Sequence, residues 1–159
     1  MSQEIERKYL VRLDVWKPTN AGVLYRQGYL CNVEERSVRV RIAGQQAYLT
    51  IKGPTYGITR LEFEYAIPVG DAEIMLNLLC QHPLIEKTRY HQSFAGKTWE
   101  IDVFHGDNTG LVVAEIEVGS ESEQFERPPW LGREVSTDLR YLNSSLVNNP
   151  YNNWRRRSN

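Results

Sequence analysis

Glu4-Ile5-Glu6-Arg7-Lys8-Tyr9-Leu10-Val11 opens the chain with a two-residue alternation. That period belongs to a β-strand and places Glu4, Glu6 and Lys8 on one face, with Ile5, Arg7, Tyr9 and Val11 on the other. The pattern returns downstream. Arg39 and Arg41 alternate with Val38, Val40 and Ile42, and Ala43-Gly44-Gln45 predicts a tight hairpin. Tyr48, Thr50 and Lys52 then alternate with Ala47, Leu49 and Ile51. Past the loop Gly53 to Gly57, Arg60, Glu62 and Glu64 oppose Leu61, Phe63 and Tyr65, and Lys87 with Arg89, Glu100 with Asp102, and Glu115 with Glu117 repeat the arrangement. With a further strand near Val23 to Cys31, seven or eight strands are predicted.

Two helical segments interrupt this mainly β pattern. Asp71 to Gln81 reads as a helix whose stripe of Ile74, Leu78, Met75 and Leu79 should face the sheet. Ser136-Thr137-Asp138 can cap a short helix running to about Leu142. Residues 1–150 are expected to form one domain and 151–159 a weakly ordered tail.

Composition limits the partners. The 159 residues carry 19 Lys plus Arg against 20 Asp plus Glu, a formal net charge of -1. A nucleic-acid partner needs a broad basic excess that this chain lacks, and Arg155-Arg156-Arg157 reads as a solvated tail. Cys31 and Cys80 suggest no disulfide framework, and the start MSQEIERK holds no apolar signal segment, so a cytoplasmic protein without a membrane span is expected.

The polar phases together hold Glu4, Glu6, Lys8, Arg39, Arg41, Lys52, Glu62, Glu64, Lys87, Arg89, Glu100, Asp102, Glu115 and Glu117, eight acidic and six basic side chains. One reading is a solvated face, since antiparallel sheets commonly show water one face. Against it stands the choice of residues: same-sign charges recur at i and i+2, where they repel, instead of a mixture with Ser, Thr, Asn and Gln. A sheet closed into a barrel with this phase inward would concentrate charge around a ligand. Basic pairs would grip several phosphates, and the carboxylates would supply oxygen ligands to Mg²⁺ or Mn²⁺. His82, His91 and His105 lack zinc-ligand spacing, and there is no Gly-rich phosphate loop, so side chains must hold the phosphates.

These residues resemble the CYTH family, also called triphosphate tunnel metalloenzymes. The likeness begins at the Glu4-x-Glu6-x-Lys8 signature and continues through Arg26-Gln27-Gly28-Tyr29-Leu30, Arg39-x-Arg41, Lys52-Gly53, Glu62-x-Glu64, Lys87-x-Arg89, Glu100-x-Asp102 and Glu115-x-Glu117. It ends at Leu131-Gly132-x-Glu134-Val135-x-x-Asp138-x-Arg140-Tyr141. The resemblance implies an eight-stranded antiparallel β-barrel forming a tunnel, with flanking and C-terminal helices, and a homodimer. For a chain similar to the short bacterial group it implies metal-dependent hydrolysis of inorganic triphosphate. Adenylate cyclase, thiamine or nucleoside triphosphatase, and a non-catalytic polyphosphate- or nucleotide-binding module are the competing functions. Carried over by position, Lys8, Tyr29, Arg39, Arg41, Lys52, Lys87 and Arg89 would bind substrate. Glu4, Glu6, Glu62, Glu64, Asp102, Glu115 and Glu117 would bind metal, with Lys52, Lys87 and Lys8 as catalytic lysines. Glu100 would orient an arginine.

Overall fold

In the computed structural model, which describes residues 3–157, each alternating segment forms a strand. The strands are β1 (Gln3–Val11), β2 (Val23–Val33), β3 (Arg36–Ala43), β4 (Gln46–Lys52), β5 (Thr59–Ile67), β6 (Ile85–Phe94), β7 (Lys97–Phe104), β8 (Val112–Glu117) and β9 (Leu131–Glu134). Helix α1 (Val69–Leu78) lies between β5 and β6, and α2 (Asn143–Asn148) and α3 (Tyr151–Arg157) end the chain. All the pairings are antiparallel, in the order β5-β4-β3-β2-β6-β7-β8-β1. A short overlap of β1 with β5, from Gln3 opposite Leu61 to Ile5 opposite Thr59, closes the eight strands into a barrel. Beyond that overlap β9 pairs with β1 at Tyr9 and Val11. The sequence pattern does not announce β9, because Leu131-Gly132-Arg133-Glu134 is short and does not alternate.

The barrel has its apolar packing outside and its charges inside. Outer residues of β1, β7 and β8, including Tyr9, Trp99, Ile101, Ala114 and Ile116, form one core with Trp16, Trp130 and Leu131. On the opposite side Val40, Ile42 and Ala47 pack against Ala72 and Leu76 of α1 and against Cys80. Full burial of such a side chain contributes about 1.5–3 kcal/mol, so these external cores stabilise a barrel whose middle is lined by charges.

One expectation is corrected here. Helix α1 presents Ala72 and Leu76, both fully buried, to the sheet, while Ile74, Leu78 and Leu79 are exposed. Counting long apolar side chains selects the wrong face, because the small Ala72 side chain is what lets the helix lie close to β3. At the chain end, where a weakly ordered tail is expected over 151–159, Tyr151–Arg157 is a helix, and residues 158–159 lie outside those described. Trp154 anchors it, with its ring edge-on to Tyr141 at a 5.1 Å centroid separation. The Tyr151 amide also donates to the Asn108 side chain at 2.8 Å.

The C-terminal segment also fills one end of the barrel. Tyr29, Ile85, Phe104 and Val113, in register with the inward charged residues, form a cluster with Tyr141, Leu146, Val147 and Trp154. A 3₁₀ turn at Leu139–Tyr141 leads into it, and the Asp138 carboxylate caps the turn by accepting from the Arg140 amide. No helix of the described residues is long and apolar enough to cross a membrane.

Candidate active site

The inward phases enclose a cavity of about 320 Å³. Glu4, Glu6, Lys8, Tyr29, Arg39, Arg41, Lys52, Glu62, Glu64, Lys87, Arg89, Glu115 and Glu117 all line it, and Asp102 does not. The order of strands sorts these charges by sign. Carboxylates come from the contiguous strands β7, β8, β1 and β5, while Lys52, Arg39, Arg41, Lys87 and Arg89 come from β4, β3 and β6 on the other wall. Lys8 and Arg60 are the cations on the acidic side.

On the acidic wall Glu6, Glu100 and Glu115 bring carboxylate oxygens within 4.8 Å of one another. This cluster suits a divalent cation, because all of its donors are carboxylate oxygens. The electrostatics point the same way. Burial, with Glu115 and Glu4 close by, pushes Glu6 well above the usual carboxylate range, a repulsion that a bound cation would relieve. Glu115 is itself pushed up by burial, but Lys8, Arg89 and Lys87 outweigh that and hold it well below the usual range. Lys8 Nζ lies 3.3 Å from Glu115.

Glu100 and Asp102 share one phase of β7 but meet different partners. Glu100 belongs to the carboxylate cluster while also accepting from Arg89 Nη1 at 2.9 Å. Asp102 is fully buried behind the wall. Its Oδ1 accepts from Arg89 Nε at 2.7 Å, and its Oδ2 accepts from Arg89 Nη2 at 2.8 Å and Lys87 Nζ at 2.7 Å. Burial raises its pKa, but those two cations outweigh it and bring Asp102 down to about 2. Both oxygens of Asp102 are thus held by cations, and it lies outside the Glu6, Glu100 and Glu115 cluster. Glu4 is engaged in a different way: its oxygens accept from Lys52 Nζ at 3.2 and 3.3 Å, and Arg60 Nε lies 3.4 Å away. Glu62 reaches the same lysine at 3.1 Å. Glu64 lies 3.9 Å from Arg39, and Glu117 is exposed at the cavity edge. None of these four belongs to the tight cluster.

The basic wall holds more positive charge than its neighbours neutralise. Arg41 donates through Nε to Gln27 at 2.9 Å, a neutral partner. Burial and the guanidiniums of Arg39 and Arg89 push Arg41 below the usual arginine value. The Nε of Arg39 is buried without a partner among the described residues. Such an orphan donor marks a place for an anion. Tyr25 separates Arg41 and Arg89, whose guanidinium carbons lie 4.9 and 5.0 Å from its ring centre. Burial lowers Lys87 to about 7: Asp102 opposes the shift, and Arg89 and Arg41 add to it.

Tyr29 borders the cavity, but its ring packs in the apolar plug. The structure also adds Tyr25, Ser37, Tyr48, Arg60, Asn143 and Ser144 to the lining. Arg60 shares the phase of Glu62 and could have been found on that basis. Asn143 could not, because it arrives from a helix that strand periodicity does not place.

Comparison with known proteins fits this geometry. The family model described as CYTH domain matches residues 2–151. An inorganic triphosphatase of Acetivibrio thermocellus is 54% identical over 155 residues, covering 98% of this chain and 99% of that one. An inorganic triphosphatase of Nitrosomonas europaea is 38% identical over 148 residues, covering 91% and 96%. A crystal structure of an inorganic triphosphatase superposes with a TM-score of 0.66 at 36% identity, covering 92% of this chain and 95% of that one.

Proposed function

This chain belongs to the CYTH family, and from that membership we propose that it hydrolyses inorganic triphosphate to pyrophosphate and phosphate with the help of a divalent metal ion. The observation that carries the proposal is the pairing of an acidic wall with a basic wall across one cavity of about 320 Å³. A triphosphate needs cations on its non-bridging oxygens, and a metal ion needs carboxylates beside it. Only a ligand that combines phosphates with metal uses both walls.

Arg39, Arg41, Lys52 and Arg89 bind the phosphates from one side and Lys8 from the other, the arginines as rigid forks and the lysines as point charges. Glu6, Glu100 and Glu115 hold Mg²⁺ or Mn²⁺, which supplies Lewis-acid polarisation of a phosphoryl oxygen. Water attacks the terminal phosphorus as the bond to the bridging oxygen breaks, and pyrophosphate leaves. Lys87 is the group assigned to take the proton of that water. Its pKa near 7 leaves much of the amine neutral at physiological pH, as a base requires. Lys8 and Lys52 stay charged in this scheme and stabilise the leaving pyrophosphate.

A pH consequence follows. For kcat/KM, which reports the free enzyme, activity should rise with pH through about 7 and then level. Lys87→Arg, which stays protonated, should remove this rise; an unchanged acidic limb would remove Lys87 as base.

The homodimer belongs to the same reading. Exposed Leu61, Phe63 and Tyr65 on β5, with Ile74 and Leu78 on α1, support a covered outer face. Light scattering of the purified chain should give twice the monomer mass, and a monomer mass at micromolar concentration would contradict it.

The function itself is tested by incubating the pure protein and Mg²⁺ or Mn²⁺ separately with inorganic triphosphate, ATP and thiamine triphosphate and resolving the products. Inorganic triphosphate should be turned over fastest. Faster conversion of ATP to cyclic AMP would make the protein a cyclase, and binding without turnover would make it a sensor.

A further inference from the structure

Asn143, the first residue of α2, connects the C-terminal segment to the cations of the basic wall. Its Oδ1 accepts from Lys87 Nζ at 2.8 Å and from Gln27 Nε2 at 3.0 Å. Gln27, fully buried on β2, accepts at Oε1 from Arg41 Nε at 2.9 Å. The two cations fix how both amides are turned. Arg41 can only donate, so Gln27 presents its oxygen to Arg41 and its NH₂ to Asn143; Asn143 must then present its oxygen, which is also what Lys87 demands. The chain from Arg41 through Gln27 and Asn143 to Lys87 therefore has one self-consistent orientation.

Lys87 and the helix that carries Asn143 are both anchored. Asp102 holds Lys87 from the barrel side at 2.7 Å. On the helix side, Asn32 Nδ2 donates to the Ser144 carbonyl at 2.9 Å, and Leu146 and Val147 are buried in the plug. The same segment reaches the acidic wall, where the Tyr141 carbonyl accepts from Lys8 Nζ at 3.1 Å. A neutral amide suits this place. It holds the Lys87 nitrogen with a strong acceptor yet leaves the wall's positive charge available to an anion.

We propose that Asn143, backed by Gln27, is a positioning residue that sets the Nζ of Lys87 for triphosphate hydrolysis, so that the C-terminal segment is a working part of the active site and not only its cover. The inference rests on the triphosphatase reading above. It acts on the rate more than on affinity, because a nitrogen displaced by about 1 Å can lose on the order of 10²-fold in rate while the remaining cations still bind substrate.

Steady-state kinetics of the full chain with inorganic triphosphate and Mg²⁺ test it, beside the thermal midpoint of each variant. Asn143→Ala should lower kcat by about 10–100-fold and leave KM within about threefold. Asn143→Asp keeps the acceptor oxygen but its charge holds the Lys87 proton, so it should recover kcat to within about fivefold only at higher pH, with the acidic limb of the profile moved up and KM raised. Gln27→Leu should lower kcat in the same way, and the double variant Gln27→Leu with Asn143→Ala should be no worse than Asn143→Ala alone, because the two amides act as one unit. Should Asn143→Ala fail to fold, Asn143→Ser takes its place in the comparison. A kcat within about twofold of the unchanged chain for Asn143→Ala, no recovery with Asn143→Asp at higher pH, or losses that multiply in the double variant would each overturn the inference. Absence of hydrolysis by the unchanged chain would remove the triphosphatase reading and this inference together, whereas hydrolysis indifferent to Asn143 would remove the inference alone.

Discussion

Replacing Glu115 with glutamine is expected to lower kcat for inorganic triphosphate by about 10²–10³-fold and to raise the Mg²⁺ concentration for half-maximal activity by about 10–100-fold. Glutamine preserves the shape of the side chain and removes its charge. In the carboxylate cluster that leaves Glu6 and Glu100 to hold the cation. It also removes the charge that Lys8 meets at 3.3 Å and Arg89 at 4.0 Å, so two phosphate-binding cations lose part of their support. The fold should survive at reduced stability, because the pairing of Glu115 with Lys8 and Arg89 is lost while its repulsion with Glu6 is relieved. With Glu115 neutral, Glu6 loses its largest neighbouring source of repulsion and ionises more readily. Activity within about tenfold of the unchanged protein at saturating Mg²⁺ would place the metal elsewhere.

The second large effect concerns stability. Asp102→Ala should destabilise the fold by about 3–5 kcal/mol, the usual loss when one partner of a buried ion pair is removed. The side chains of Lys87 and Arg89 are 1% and 7% exposed, and Asp102 is their shared carboxylate. Without it Arg89 stays buried and charged beside Arg41, and Lys87 loses the carboxylate that helps it keep its proton. Denaturant titration measures the loss, and Mg²⁺ affinity in the milder Asp102→Asn variant separates the two roles considered for this residue. A positioning carboxylate leaves that affinity nearly unchanged, while a metal ligand would not. The pH dependence follows from the lowered pKa. Asp102 stabilises the fold fully above its ordinary value of 3.8, and this contribution is lost as the pH falls toward and through about 2. A loss below about 1 kcal/mol for Asp102→Ala would show that the pair is not the structural joint described here.

Much of the barrel was legible because its inward face is charged. A two-residue period of charges on Glu4, Glu6, Arg39, Arg41, Glu62, Glu64, Lys87 and Arg89 marks both strand and face. Periodicity cannot tell which strands become neighbours, so the sorting of acids to one wall and bases to the other appears only with the strand order. The same limit explains the different surroundings of Glu100 and Asp102. They share one phase of β7, and only depth along the barrel decides that Glu100 meets Glu6 and Glu115 while Asp102 meets Lys87 and Arg89. Asn143, Tyr25 and Gln27 carry no charge pattern and became visible through contacts with charged side chains. On α1, the buried Ala72 shows how a face chosen for close approach escapes a count of large apolar residues.

The central claim is that the two facing walls hold a metal ion and a triphosphate together for hydrolysis. The most direct test is the stoichiometry of products from inorganic triphosphate as Mg²⁺ or Mn²⁺ is removed with a chelator and restored. The account predicts one phosphate and one pyrophosphate for each triphosphate consumed, loss of turnover on chelation and recovery on adding either ion back. Turnover that persists unchanged without divalent metal, or no cleavage of triphosphate in its presence, would contradict it.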